Sequence, residues 1–283
     1  MKLKLNNTYA GYYTYDPELS PINQDFLRTE INLDILHGCD QMCPGCFIPR
    51  KNFTKADDLE ILYNLLVGGQ YHPDEIVIGP TDIFDAQNFD EIMNHEYMFK
   101  LYEISAIGFT STLLQPYWVI KEKLDKIWSL YRHIKRIPDI DFKIVLDVNK
   151  YLDGELDDWY KKLKLFEHGS VQFRVNYYKG VFDRISYNEL CEKTFEDFNA
   201  PVVITPSFLT DRNARGKVKQ HLANFRKDLL EQNIDEKWRN YYTFFDAKFN
   251  GLGCQNYSFY GGKLYINPFL YDAIIQRTPF FET

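Results

Sequence analysis

Three of the chain's five cysteines stand close together in the run His37-Gly38-Cys39-Asp40-Gln41-Met42-Cys43-Pro44-Gly45-Cys46-Phe47, a C-x3-C-x2-C spacing. Thiolates are soft ligands suited to zinc or to iron-sulfur clusters, and a segment carrying Pro and Gly can curl so that three sulfurs converge on one centre. Three ligands are one too few for a closed site. A structural zinc wants a fourth protein ligand and usually paired C-x2-C spacings; His37 or His72 would have to serve, and no second pair follows. A 4Fe-4S cluster held by three cysteines instead leaves one iron open to an exogenous ligand. The other two thiols, Cys191 and Cys254, are too few to hold a second such cluster by the usual four thiolates. Cys191, between Leu190 and Glu192, reads as a small buried hydrophobe. Cys254, in Gly251-Leu252-Gly253-Cys254-Gln255, reads either the same way or as a hydrogen-atom donor or substrate contact.

The elements that must position these residues are legible as short apolar alternations separated by longer amphipathic stretches, the pattern of strand-helix units around a parallel sheet. Strands are expected near 30–37, 75–79, 105–111, 141–148, 170–176 and 201–205. Helices are expected over 54–67, 88–103, 118–135, 153–166, 186–198, 213–232 and 236–249, the first with Thr54 as N-cap and Asp57 and Asp58 in its first turn. The cysteines therefore follow the first strand. The fold class is α/β, a partial TIM-type (β/α)6 parallel barrel, with a doubly wound open sheet as the competing arrangement. A hairpin with its turn at Tyr260-Gly261-Gly262-Lys263 is expected to cap one end. This divides the chain into an N-terminal extension over 1–29, the barrel over 30–210, and C-terminal helices with the hairpin cap over 211–283.

Two strands have one greasy and one wet face. In Ser170 to Asn176, Val171, Phe173 and Val175 alternate with Gln172, Arg174 and Asn176; Phe142, Ile144, Leu146 and Val148 alternate with Lys143, Val145, Asp147 and Asn149. If the greasy face meets the helices, the polar face lines a lumen suited to a ligand, because an inert barrel interior is packed with branched apolar residues. The other reading is a pair of edge strands with one solvated face.

Composition narrows the class. The 283 residues are 45% apolar and 26% charged, with 22 Phe, 21 Tyr and 4 Trp, which excludes a disordered or collagen-like chain. The net charge of -7 gives little general attraction for nucleic acid. The longest uncharged stretch, Ile104 to Ile120, is 17 residues and contains Ser, Thr, Gln and Pro, too short and polar to span a bilayer. Met1 to Ala10 lacks the apolar run of a signal peptide, so a cytoplasmic location without membrane contact is expected. The basic stretch Arg212 to Lys227 reads as a solvated helix face, or as a grip for a substrate phosphate or an acidic electron donor.

The cysteine spacing, placed after a first strand in a chain of strand-helix units, resembles the radical S-adenosylmethionine (radical SAM) superfamily. The resemblance implies a 4Fe-4S cluster on Cys39, Cys43 and Cys46 whose open iron takes the amino and carboxylate groups of SAM. It also implies reductive cleavage of SAM to a 5'-deoxyadenosyl radical that abstracts hydrogen from the substrate, with an electron donor such as flavodoxin or ferredoxin; a small-molecule or nucleotide substrate is expected because the chain is long and has no second cluster motif. Two features depart from the pattern. Gly45 stands where an aromatic residue often precedes the third cysteine, with Phe47 after it, and Gly79-Pro80-Thr81-Asp82 stands where a Gly-Gly-Glu type loop would hold the SAM amino group. The expected SAM-contacting residues are Phe47, Gly79, Thr81 and Asp82, with Asp147 and Asn149 toward the ribose and Arg174 or Asn176 toward the methionine carboxylate. The text Cys43-Pro44-Gly45-Cys46-Phe47 is also similar to activases of glycyl-radical enzymes, one alternative function; a zinc-stabilised binding module without catalysis is another.

Overall fold

The computed structural model describes residues 28–38, 56–68, 73, 75–79, 81–131, 140–155, 157–166, 170–177, 180–199, 202–206, 224, 227–228, 231–235, 237–238, 254–260 and 263–266. Eight strands form one sheet: β1 (Arg28–Asp34), β2 (Glu75–Gly79), β3 (Ala106–Ser111), β4 (Ile140–Val145), β5 (Ser170–Tyr177), β6 (Val202–Pro206), β7 (Cys254–Tyr260) and β8 (Lys263–Ile266). The spatial order is β6-β5-β4-β3-β2-β1-β7-β8. Every neighbouring pair from β6 to β7 is parallel, and only β7 and β8 are antiparallel. Strands β1 to β6 thus advance in chain order without the reversal that defines a doubly wound sheet. The fold is α/β, the open parallel strand array of a partial TIM-type barrel.

Register explains which face each residue takes. Ile31 and Leu33, Ile76 and Ile78, Ile107 and Phe109, Phe142 and Ile144, Val171, Phe173 and Val175, and Val202 and Ile204 are paired across the strands and are all buried. They pack in one core with Leu59, Leu62 and Leu66 of α1 (Asp58–Gly68), Ile120, Leu124 and Ile127 of α4 (Tyr117–Tyr131), and Leu190 and Phe198 of α7 (Tyr187–Phe198). Aromatic rings bind this layer: Phe173 stands 4.8 Å from Phe198, and Phe142 meets Phe166 edge-on at 4.7 Å. The alternate positions, Glu75, Val77, Gly108, Thr110, Asp141, Lys143, Gln172 and Arg174, share the opposite face. β4 and β5 are interior strands, and Lys143 and Gln172 are fully buried. The solvated-edge reading is therefore wrong for them, and the polar face is an interior one.

Five elements differ from expectation. β1 ends at Asp34 rather than at 37, and α1 begins at Asp58, so Asp57 stands ahead of its first turn. The helix expected over 88–103 is two helices, α2 (Phe89–Met93) and α3 (Glu96–Ile104), with His95 extended between them. The buried set Phe89, Ile92, Met93 would continue at 96, 97 and 100 in one helix. Those positions hold Glu96, Tyr97 and Lys100, and burial resumes at Met98, Leu101 and Tyr102, so the break resets the phase. β4 ends at Val145, and α5 (Val148–Asp153) begins behind Asp147 as its N-cap; the helix stops at Gly154, whose φ of 75° is the left-handed conformation glycine adopts without cost. The 153–166 helix is α6 (Asp157–Leu163) followed by a 3-10 turn, Lys164–Phe166. The C-terminal hairpin forms, but β7 lies parallel beside β1 and widens the sheet there, covering an edge that would otherwise present unpaired backbone groups. Thr54 lies outside the described residues, as do most of 213–232 and all of 239–249. Among the described residues no helix is long and apolar enough to cross a membrane.

Candidate functional site

Because β1 to β6 are parallel, their C-terminal ends share one edge of the sheet, the edge where parallel barrels build their sites. The chain leaves β1 there through Ile35 to Gly38, and Cys39, Cys43, Cys46 and Phe47 follow outside the described residues. Gly79 ends β2 and is buried; its carbonyl accepts from the amides of Ile35 and Leu36, both at 2.8 Å. Two donors occupy that oxygen, so Gly79 ties β2 to the β1 exit.

Asp82 is buried and faces β3. Its Oδ1 accepts from the Phe84 amide at 2.9 Å; its Oδ2 accepts from the Thr112 amide at 2.7 Å, the Thr112 hydroxyl at 2.9 Å and the Ser111 hydroxyl at 3.0 Å. Burial pushes its pKa above the ordinary value, and the hydrogen bonds from Thr112, Phe84 and Ser111 pull it partly back. Ser111 Oγ in turn accepts from the Leu113 amide at 2.9 Å, and the buried Lys162 ammonium donates to the Leu113 carbonyl at 2.9 Å. Leu113 itself has φ 55°, a left-handed conformation that a branched aliphatic residue adopts only when its surroundings impose it. Asp82 and Lys162 thus clamp the exit of β3 from two sides.

Thr81 stands beside Asp82 and is buried, yet its hydroxyl has no hydrogen-bond partner among the described residues. The Nε2 of His37, at the β1 exit, is in the same condition. Buried polar atoms are nearly always paired with protein, water or ligand. Two such atoms, at the exits of neighbouring strands, mark this edge as a place for a polar guest.

The residues expected from β4 and β5 divide. Asp147 and Asn149 are past the end of β4, contrary to the strand reading, because the apolar alternation runs on into the first turn of α5. Both are exposed. Asp147 Oδ1 accepts from the amides of Asn149 at 3.1 Å and Lys150 at 3.2 Å, and Asn149 Oδ1 accepts from Arg184 at 3.2 Å. Arg174 lies on the interior face of β5, half-buried, with its Nε donating to Gln172 Oε1 at 2.6 Å. Asn176 follows it in β5, in register with Thr205 of β6.

Sequence reasoning missed a buried ion pair on the interior face. Glu75 of β2 and Lys143 of β4 meet at 2.9 Å with both side chains fully buried. The contact passes over β3 at Gly108, where an added Cβ would stand 2.1 Å from Glu75 Oε1. The available signal was a Glu and a Lys inside otherwise apolar strands, opposite in sign and each at a polar phase of the alternation. Cys191 is buried as expected, with its thiol pushed up to about 12 by burial. Cys254 opens β7 in register with Arg28. It therefore lies toward the N-terminal edge of the sheet, roughly 20 Å along the strands from the β1 exit at ~3.3 Å per residue, which removes it from the site. Of the basic stretch, Asn224 is described and Lys227 pairs with Glu231 at 3.5 Å on the surface.

No protein-family model matches the chain, and no curated protein matches it. Among solved structures, Streptococcus suis SuiB bound to precursor peptide SuiA aligns with a TM-score of 0.48 at 15% identity, covering 82% of this chain and 49% of that one. Streptococcus suis SuiB in a second crystal structure aligns with a TM-score of 0.46 at 17% identity, covering 75% of this chain and 47% of that one. The chain spans about half the length of these structures.

Proposed function

We propose that this chain is a radical SAM enzyme in which Cys39, Cys43 and Cys46 hold a 4Fe-4S cluster whose fourth iron receives SAM. The observation that carries the reading is the position of the C-x3-C-x2-C segment. It begins one residue beyond a β1 exit that shares an edge with the ends of five further parallel strands. The unpartnered Thr81 hydroxyl and His37 Nε2 at that edge fit a polar ligand. When bound, the cluster and SAM supply reductive cleavage of the sulfonium bond, giving methionine and a 5'-deoxyadenosyl radical that takes a hydrogen atom from the substrate.

The chain's own residues bind and orient. Thr81 Oγ1 accepts from the SAM ammonium, a role that the doubly occupied Gly79 carbonyl leaves to it. Asp82 holds the Thr81 segment against β3 and keeps its charge on the protein's own donors. Arg174 reaches the methionine carboxylate, with Asn176 beside it, since a guanidinium pairs well with a carboxylate. Asp147 keeps its Oδ2 for a ribose hydroxyl at the rim, Asn149 being turned to Arg184, and Phe47, outside the described residues, is assigned a further contact with SAM. The polar interior face receives a small-molecule or nucleotide substrate, and a flavodoxin or ferredoxin supplies the electron in a cytoplasmic setting.

Anaerobic reconstitution should load about four iron and four sulfide per chain, and SAM with dithionite should then yield 5'-deoxyadenosine. Alanine at any one of the three cysteines should abolish that product, and Thr81→Val should weaken SAM binding by roughly tenfold, the worth of one hydrogen bond to a charged group. A loaded cluster that never yields 5'-deoxyadenosine, or a colourless protein with one tightly held zinc, would sink the proposal.

A further inference from the structure

The β1 exit is held up to the last residue before the cysteine segment by two neighbours from the loop after β2. Asn88 occupies the N-cap position of α2, where an asparagine side chain ordinarily accepts from an amide in the first helical turn. It makes no capping bond. Its amide turns to the β1 exit instead: Oδ1 accepts from the His37 N–H at 3.0 Å, and Nδ2 donates to the Ile35 carbonyl at 2.9 Å, in a buried position. The neighbouring Gln87 N–H donates to the His37 carbonyl at 2.9 Å. The Gln87 side chain also lies across Gly38, where an added Cβ would come within 2.2 Å of its Cδ and 2.4 Å of its Cγ. Gly38 turns there with φ 76°, which only glycine adopts freely. Together with Ile35 and Leu36 on the Gly79 carbonyl, these bonds engage three successive amides of the exit.

We propose that Asn88 and Gln87 are positioning residues for the cysteine segment, fixing the place and direction in which the chain leaves β1 and so the approach of Cys39 to the cluster. The proposal rests on the radical SAM reading. A metal centre whose ligands start from a fixed stem spares the entropy of ordering that stem, and partners that orient ligands from outside commonly change metal affinity by about 10- to 100-fold when removed.

The test compares reconstituted wild-type protein with Asn88→Asp, Gly38→Ala and the double variant Gly38→Ala/Gln87→Ala. Asn88→Asp keeps the acceptor for His37 but sets an oxygen against the Ile35 carbonyl. Loss of iron to a chelator should be about tenfold faster in Asn88→Asp and Gly38→Ala, and the electron paramagnetic resonance spectrum of the reduced cluster should change shape. Removing the Gln87 side chain in the Gly38→Ala background should restore part of the loss. If Asn88→Asp does not fold, the Gly38 and Gln87 variants carry the test, because Gln87 is exposed. Variants that hold their cluster as firmly as wild type, with its spectrum, overturn this inference alone. Wild-type protein that takes up no iron-sulfur cluster overturns the parent reading and this one with it.

Discussion

Asp82 carries a carboxylate out of water at the end of β2 and surrounds it with donors from β3 and its own loop. Burial dominates and raises its pKa above the 3.8 of a free side chain. The folded protein therefore holds that proton more tightly than the unfolded chain. The resulting stability is full below the unfolded pKa and is lost as pH rises through the higher folded one. Denaturation at a series of pH values should show stability falling upward from about 3.8 in wild type and no such fall from this group in Asp82→Asn. At neutral pH the substitution should cost ~1–3 kcal/mol, because the new amide must turn its N–H groups toward Phe84 N–H or toward the Ser111 and Thr112 donors. The choice of Asp at this position was visible in the sequence as a polar residue after a strand. Its commitment to Ser111 and Thr112, about thirty positions away, was not.

At the scale of elements, the β4–α5 junction shows how a local pattern can mislead. Leu146 and Val148 are buried and continue the apolar alternation of the strand, and the Leu146 amide still donates to the Arg174 carbonyl of β5, yet β4 has ended at Val145 and Asp147 opens a helix. An aspartate whose oxygen accepts from the second and third helical amides stabilises the turn and favours the dipole there. Asp147→Ala should cost about 1 kcal/mol in chemical denaturation, with the dependence on denaturant unchanged. A loss near zero would mean that α5 is held by Val148 and Tyr151 in the core alone. The split between α2 and α3 has the same origin as the missed junction. Sequence periodicity records which residues are buried, while a break that shifts the phase leaves only a gap in the pattern. The strands β2, β3, β5 and β6 were read within a residue or so because period-two burial is written in consecutive positions.

Across the whole molecule, the Glu75–Lys143 pair ties β2 to β4 over the small residue of β3. Charges so far from solvent persist only when paired, and breaking such a pair is costly because one charge is left behind. Lys143→Met should lower stability by ~3–5 kcal/mol, and Glu75→Gln/Lys143→Met should cost less than the sum of the single changes. Gly108→Ala should cost ~1–3 kcal/mol by driving Glu75 aside, with a smaller penalty in a Glu75→Ala background. Equal penalties in both backgrounds would show that Gly108 is required for a reason other than room for the carboxylate. This cross-strand tie supports the interior face that the proposed function assigns to substrate.

The amino-acid sequence by itself determined the cysteine spacing, the alternation that makes one face of β4 and β5 polar, and the succession of strands and helices, since each is encoded in residues close along the chain. Only the tertiary structure decided that β7 lies beside β1, that Lys143 meets Glu75 68 positions away, and that Asn88 abandons its helix for Ile35 and His37, 53 and 51 positions back. The physical reason is that periodicity specifies which side of an element is buried, whereas the partner it is buried against is chosen by strand order and register. Those are properties of the whole sheet, and no local segment contains them.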